Sequence, residues 1–153
     1  MFWNVGGKEI PESIATLCRE QEVDVLLLAE CKTQQSDMSM SLNTPKRAPG
    51  TYRELPHLDS RIRVFTRFSS NRFDPVFDDG HVRILHLRLP IGRPLLIVAA
   101  HLPSKLWSNA GDQSYRIRQL RQDIEAAEAK TGHKNTVVIG DLNANPFEDS
   151  LMA

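Results

Sequence analysis

Between Thr51 and Ala100 the chain runs through five strand-like segments in succession, "TYREL", "RIRVFTR", "RFDPVF", "HVRILHLRL" and "PLLIVAAHL", punctuated by "DDG" and "PIGRP". Turn residues spaced in this way between apolar and β-branched runs predict hairpins. Helical patterns fall outside the block. Before it, "FWNV" predicts a short strand, and "IPESIATLCREQ" a helix with Pro11 near its start and Ile10, Ile14, Leu17 and Cys18 at helical spacing. "VDVLLLAE" then predicts a buried strand. After the block, Gln113 to Lys130 predicts a helix carrying Ile117, Leu120, Ile124 and Ala127 on one face, with Gly132 as its stop, before "TVVIG" re-enters the core. Helices framing a meander of strands argue for stacked sheets with helices outside, and against a purely parallel sheet.

With 153 residues, 41% of them hydrophobic and 25% charged, the chain suffices for one sizeable core, so residues 1–153 are expected to form a single domain. Residues 33–50, rich in Gln, Ser, Asn, Pro and Met, are expected to be a surface loop. The net charge is zero but unevenly spread: residues 46–93 hold 10 basic and 5 acidic side chains. Such a field favours an anionic ligand such as a phosphate, or is simply a solvated basic face. Cys18 and Cys31 suggest neither a metal knuckle nor a disulfide framework, which fits a reduced, cytoplasmic setting. Leu95–Ala100, the longest apolar run, is far too short for a membrane span.

Four apolar runs end in a polar group that is costly to bury without a partner or a task. Trp3 precedes Asn4, Leu26 to Ala29 precede Glu30, Val98 to Ala100 precede His101, and Val137 to Gly140 precede Asp141 and Asn143. If these ends meet, two carboxylates and two amides offer hard oxygen ligands that suit Mg²⁺ or Mn²⁺ better than zinc, and His101 offers a donor to a bound anion. Each also has an ordinary reading: Asn4 and Asn143 as turn or cap residues, Glu30 as a solvated strand end, His101 as an edge residue satisfied by a carbonyl, Asp141 as the head of an Asx turn.

"FWNV", "DVLLLAE", "LIVAAHL", "YRIRQL" and "VVIGDLNANP" together resemble, in order and approximate spacing, the endonuclease/exonuclease/phosphatase superfamily of deoxyribonuclease I-like fold. The resemblance spans nearly the whole chain. It implies an α/β (α+β) four-layer α/β/β/α sandwich of two mixed sheets with outer helices, and hydrolysis of phosphoester bonds with a divalent metal, Mg²⁺ or Mn²⁺. By the same resemblance Glu30 is the principal metal ligand with Asn4 beside it, and Asp141 orients or activates the nucleophile and joins the metal set. Asn143 steadies charge on the phosphoryl oxygens, and His101 contacts the phosphate. Asn4, His101 and Asn143 would then bind phosphate, and His101, Asp141 and Asn143 would be catalytic.

Two departures qualify the match. Gly6 stands where repair enzymes of the exonuclease III type carry a second polar residue, although "AECK" with Lys32 resembles their Glu-x-Lys. The family's closing Asp-His pair is also absent, as no histidine follows His133. The sequence therefore reads as the N-terminal and larger part of such a domain, incomplete at the C-terminus and weakly active or inactive alone. The alternative is a non-catalytic phosphate- or protein-binding member. The expected partner is a phosphodiester or phosphomonoester; nucleic acid is suggested by the basic middle third and by Tyr52 and Trp107 taken as exposed aromatics. The five site residues are expected to converge on one cleft, and an uncovered sheet edge to favour self-association.

Overall fold

The structure is a computed structural model that describes residues 1–44, 51–57, 61–104 and 110–144. The backbone divides into two compact units, Met1–Arg72 and Phe73–Ala153. Each unit is built on one mixed four-stranded sheet, so the α/β class with two mixed sheets and helices is the one observed.

In the first unit the chain order is β1 (Phe2–Asn4), α1 (Pro11–Glu20), β2 (Val25–Ala29), α2 (Gln35–Leu42), β3 (Arg53–Glu54) and β4 (Ile62–Thr66). Strand β1 lies parallel to β2, β4 antiparallel to β2, and β3 on the far edge antiparallel to β4. Leu26 and Leu28 of β2 and Phe65 of β4 pack with Ile14, Ala15 and Cys18 of α1 and with Met38 and Leu42 of α2. Helix α2 corrects the surface loop expected over 33–50. Met38 and Leu42, four residues apart, fall on one face and are 0% and 1% exposed, enough to dock a polar segment; residues 45–50 lie outside the described residues.

The second unit holds β5 (Phe73–Asp78), β6 (Val82–Leu87), β7 (Leu95–His101), α3 (Ala110–Thr131) and β8 (Thr136–Asp141), with strand order β5-β6-β7-β8. The first three form an antiparallel meander, and β8 joins parallel to β7 after the α3 crossover. Val82, Ile84, Leu96, Val98 and Ala100 on one sheet face pack with Ile117, Leu120 and Ala127 of α3, three of the four positions of the predicted stripe, while Ile124 is half-buried against the same core. Among the described residues β8 is the sheet's last strand, and its Val137 and Val138 are 48% and 47% exposed.

Cys18 and Cys31 are free thiols, the first buried and the second half-buried. Among the described residues no helix is long and apolar enough to cross a membrane. Tyr52 is not the exposed aromatic the sequence suggested: it is 4% exposed and its hydroxyl donates to the Val23 carbonyl. Trp107 lies outside the described residues. Part of the basic middle third is neutralised within the fold. Arg63 makes a two-pronged bond to Glu54 (2.6 and 2.8 Å), Arg67 meets Asp24 (2.8 Å) and Arg88 meets Asp74 (3.2 Å).

Candidate active site

The sequence-derived site residues fall into two sets, Asn4 with Glu30 in the first unit and His101 with Asp141 and Asn143 in the second.

Asn4 and Glu30 stand at the adjacent ends of the parallel strands β1 and β2, where Asn4 pairs in register with Ala29. Asn4 Nδ2 donates to Glu30 Oε1 at 3.3 Å, and Asn4 Oδ1 accepts the Gly6 N–H at 3.0 Å. Gly7 N–H donates to the Glu30 carbonyl at 3.1 Å. Gly6 and Gly7 have φ of 57° and 73°, conformations a side chain disfavours. A Cβ on Gly7 would also stand 3.5 Å from Lys32 Nζ, so the bare glycine leaves that ammonium room. Gly6, the departure from the exonuclease III pattern, is thus part of a tight turn that fixes Asn4. Glu30 itself has φ 52°. A left-handed non-glycine residue of this kind is held against a backbone cost and concentrates at functional sites; here it turns an exposed carboxylate out of the strand end.

In the second unit His101 pairs in register with Asp141 across β7 and β8. Its side chain is buried, on the sheet face opposite Ala100 and the α3 core. Asp141 Oδ1 accepts the Asn143 N–H at 3.1 Å, an Asx turn, and Asn143, at φ 49°, donates from Nδ2 to the Leu102 carbonyl at 2.8 Å. The ordinary reading of Asp141 and Asn143 as turn formers is therefore realised alongside any chemical role, and Asn143 keeps a second amide N–H. Gln113, 3% exposed on α3, donates from Nε2 to the Asn143 carbonyl and secures this loop. Sequence reasoning missed Gln113, which was visible only as a polar residue at a helix start.

It also missed His81, which directly precedes β6 and was read only as the first residue of the strand segment "HVRILHLRL". The Asp79 carboxylate accepts the N–H groups of His81 (2.9 Å) and Val82 (2.7 Å). With its backbone N–H so engaged, His81 uses its ring instead: Nδ1 lies 3.0 Å from the His101 carbonyl, while His101 N–H donates to the His81 carbonyl at 2.7 Å. Arg83, two residues on and 3% exposed, has Nε 3.6 Å from Asp78 Oδ2 in the same turn.

A metal was expected, and the fit rests on donor chemistry. Among the described residues no group of three or more His, Cys, Asp or Glu side chains is placed to hold an ion. Cys31 accepts from Arg63 Nη1 at 3.6 Å. The first set offers one carboxylate and one amide, a sparse oxygen pair that suits Mg²⁺, which keeps several waters and uses few protein ligands, and does not suit zinc.

The sequence profile of the Endonuclease/Exonuclease/phosphatase family matches residues 1–152. The chain belongs to that family. No curated protein sequence shows a significant match to it. Among solved structures, beta toxin of Staphylococcus aureus is similar at 12% identity and a TM-score of 0.64, over 97% of this chain and 63% of that one. Truncated TDP2 of Caenorhabditis elegans is similar at 14% and 0.60, over 94% and 61%. The human Nocturnin catalytic domain, with bound sulfate anion, is similar at 19% and 0.51, over 95% and 61%. At these identities the likeness is one of fold, the deoxyribonuclease I-like fold of the family. This family member spans about three-fifths of the length of those chains.

Proposed function

We propose that the protein is a divalent-metal-dependent hydrolase of phosphoester bonds, acting by in-line attack of water on a bound phosphate. The observation that carries this reading is the Asn4–Glu30 pair, a carboxylate turned outward by a left-handed backbone with an amide bonded to it. Family membership supports the reading, and one similar structure is described as ANGEL2, a 2′,3′-cyclic phosphatase, at 14% identity and a TM-score of 0.58.

Glu30 and Asn4 would hold Mg²⁺ or Mn²⁺, with Asp141 as a further ligand. When bound, the ion offsets the charge that builds on the non-bridging oxygens. His101 contacts the phosphate from its buried strand end, and the second N–H of Asn143 stabilises a phosphoryl oxygen; preorganised donors of this kind are worth about 2.7–4 kcal/mol each. Asp141 orients the attacking water. The substrate is a phosphodiester or phosphomonoester, including nucleic acid, and the protein works in the cytoplasm, in keeping with its two free thiols. The open valines of β8 extend the proposal to self-association through that edge.

The test is Mn²⁺ titration by calorimetry with hydrolysis of bis(p-nitrophenyl) phosphate, on the wild type and Glu30→Gln. The wild type is expected to bind the ion and to turn over the diester only weakly, and the variant to lose at least the about 10- to 100-fold in metal affinity that removing a mere supporting residue costs. Unchanged affinity in the variant would remove Glu30 from the site. Ion and phosphate binding without turnover would make the protein a phosphate-binding module instead.

A further inference from the structure

We propose that His86 and His133 form a proton-operated latch that fastens the start of β8 to the sheet at neutral pH and releases it in acid. The pair lies within the second unit, at the end of the sheet away from His101 and Asp141. Asp74 of β5, His86 of β6, Leu96 of β7 and Thr136 of β8 stand in one row across the four strands. Leu96 packs with α3, as does Ile84 two residues before His86, so His86 is on the α3 face. His133 follows the end of α3 by two residues, and its ring lies beside that of His86, with centroids 5.3 Å apart and planes tilted by 39°.

The bonds at Nδ1 set the proton on each ring. Asp74 Oδ2, a carboxylate acceptor, lies 3.4 Å from His86 Nδ1, which puts the proton of the neutral ring there and the lone pair on Nε2. In His133 the order is reversed: the Asn135 N–H donates to Nδ1 at 3.2 Å, so the neutral ring carries its proton on Nε2. Both Nε2 atoms are buried and have no hydrogen-bond partner among the described residues. One is an acceptor and the other a donor, so a single proton bridge between them, direct or through one water, satisfies both. A neutral imidazole has one free lone pair, and His133 gives it to Asn135, so the pair is built for a proton rather than a metal ion.

The latch holds the entry to β8. Asn135, immediately before that strand, gives its N–H to His133, accepts the Leu96 N–H on its carbonyl at 2.8 Å and donates from Nδ2 to the Pro94 carbonyl at 3.3 Å. The charged groups on the elements around the rings are Asp74 of β5, Arg88 just after β6, Arg93 before β7, Glu128 and Lys130 of α3, and Lys134 in the turn before β8. Glu128 accepts from the Thr136 hydroxyl at 2.6 Å, and Arg88 donates to Asp74 Oδ1 at 3.2 Å, so the carboxylate beside the pair is already shared. A proton added to His86 goes to Nε2 and removes the acceptor of the bridge. A proton added to His133 goes to Nδ1 and sets an N–H against the Asn135 N–H. With both rings charged, two cations stand 5.3 Å apart with only that shared carboxylate to offset them. Acid thus removes the bonds that hold Asn135, and the start of β8 opens.

The experiment measures amide hydrogen exchange by NMR in the 153-residue chain, at about pH 8 and about pH 5.5, a span over which histidine changes charge. Protection is taken relative to the unfolded-chain rate at each pH. The Leu96 N–H, bonded to the Asn135 carbonyl, is expected to lose about tenfold in protection in acid, while the Leu102 N–H, bonded to the Asp141 carbonyl at the far end of β8, keeps its own. His133→Asn puts an amide oxygen in place of Nδ1, accepts the Asn135 N–H at either pH, and is expected to abolish the loss at Leu96. No loss in the wild type, equal losses in wild type and variant, or equal losses at Leu96 and Leu102 would overturn the latch. Nitrogen-15 NMR of the wild-type rings at about pH 8 supplies a second reading that needs no variant. His86 is expected as the Nδ1–H tautomer and His133 as the Nε2–H tautomer, and any other combination would overturn the proposal whatever the variant does.

Discussion

At the scale of single residues, burial changes what a side chain does in a way composition does not reveal. Tyr52, taken from the sequence as a surface aromatic, is enclosed in the first unit, and burial, with the Cys18 thiol nearby adding to it, pushes its phenol up to about 12. Burial raises the Cys18 thiol in the same sense. The folded chain thus holds the phenol proton more tightly than the unfolded chain, where tyrosine titrates near 10. The stabilisation is complete below about pH 10 and is lost as pH rises through about 12. Between about pH 9 and about pH 11.5 the denaturant midpoint should fall further in the wild type than in Tyr52→Phe, and equal falls would contradict the burial. Asn4, Glu30, His101 and Asp141 were legible because each ends an apolar run, where a polar group needs a reason. His81 and Gln113 were not. The first owes its position to Asp79 capping two backbone N–H groups, the second to a loop distant in sequence, and neither relation leaves a periodic trace.

At the scale of elements, strands and long helices announced themselves while the short polar helix did not. Helix α3 begins at Ala110 rather than Gln113 and ends at Thr131, close to the span its apolar stripe predicts. Helix α2 has only Met38 and Leu42 as buried anchors among serines, glutamine and aspartate, too few for a repeat, so its existence depends on α1 being there to cover them. The predicted strand "TYREL" shrinks to Arg53–Glu54, with Tyr52 and Leu55 buried on either side of it and the Leu55 N–H still donating to the Val64 carbonyl at 2.8 Å. Strand β8 makes the most exacting demand. A Cβ on Gly140 would collide with the Ala100 carbonyl oxygen and stand 2.8 Å from the carbonyl carbon, backbone atoms that cannot step aside. Gly140→Ala should therefore cost at least the about 1–3 kcal/mol typical of overpacking, seen as a lower urea midpoint. An unchanged midpoint would mean that β8 does not lie this close to β7.

At the scale of the whole molecule, each unit encloses its own apolar core, and the second presents its last described strand to solvent through Val137 and Val138. A strand edge of this kind, unpaired among the described residues, invites another strand. Sedimentation of the wild type should shift with concentration, and Val138→Lys should suppress the shift; a wild type that stays monomeric at every concentration would contradict the proposal. The order of connection within the second unit carries a different consequence. Strands β5, β6 and β7 are joined by short turns, but β7 reaches β8 only after residues 102–135 have wound through α3. Closing a long crossover costs more chain entropy than closing a hairpin, and contacts distant in sequence form late. A newly made chain thus brings His81 and His101 together by local hairpin closure well before Asp141 arrives beside them, and this end of the sheet is among the last parts of the unit to be complete.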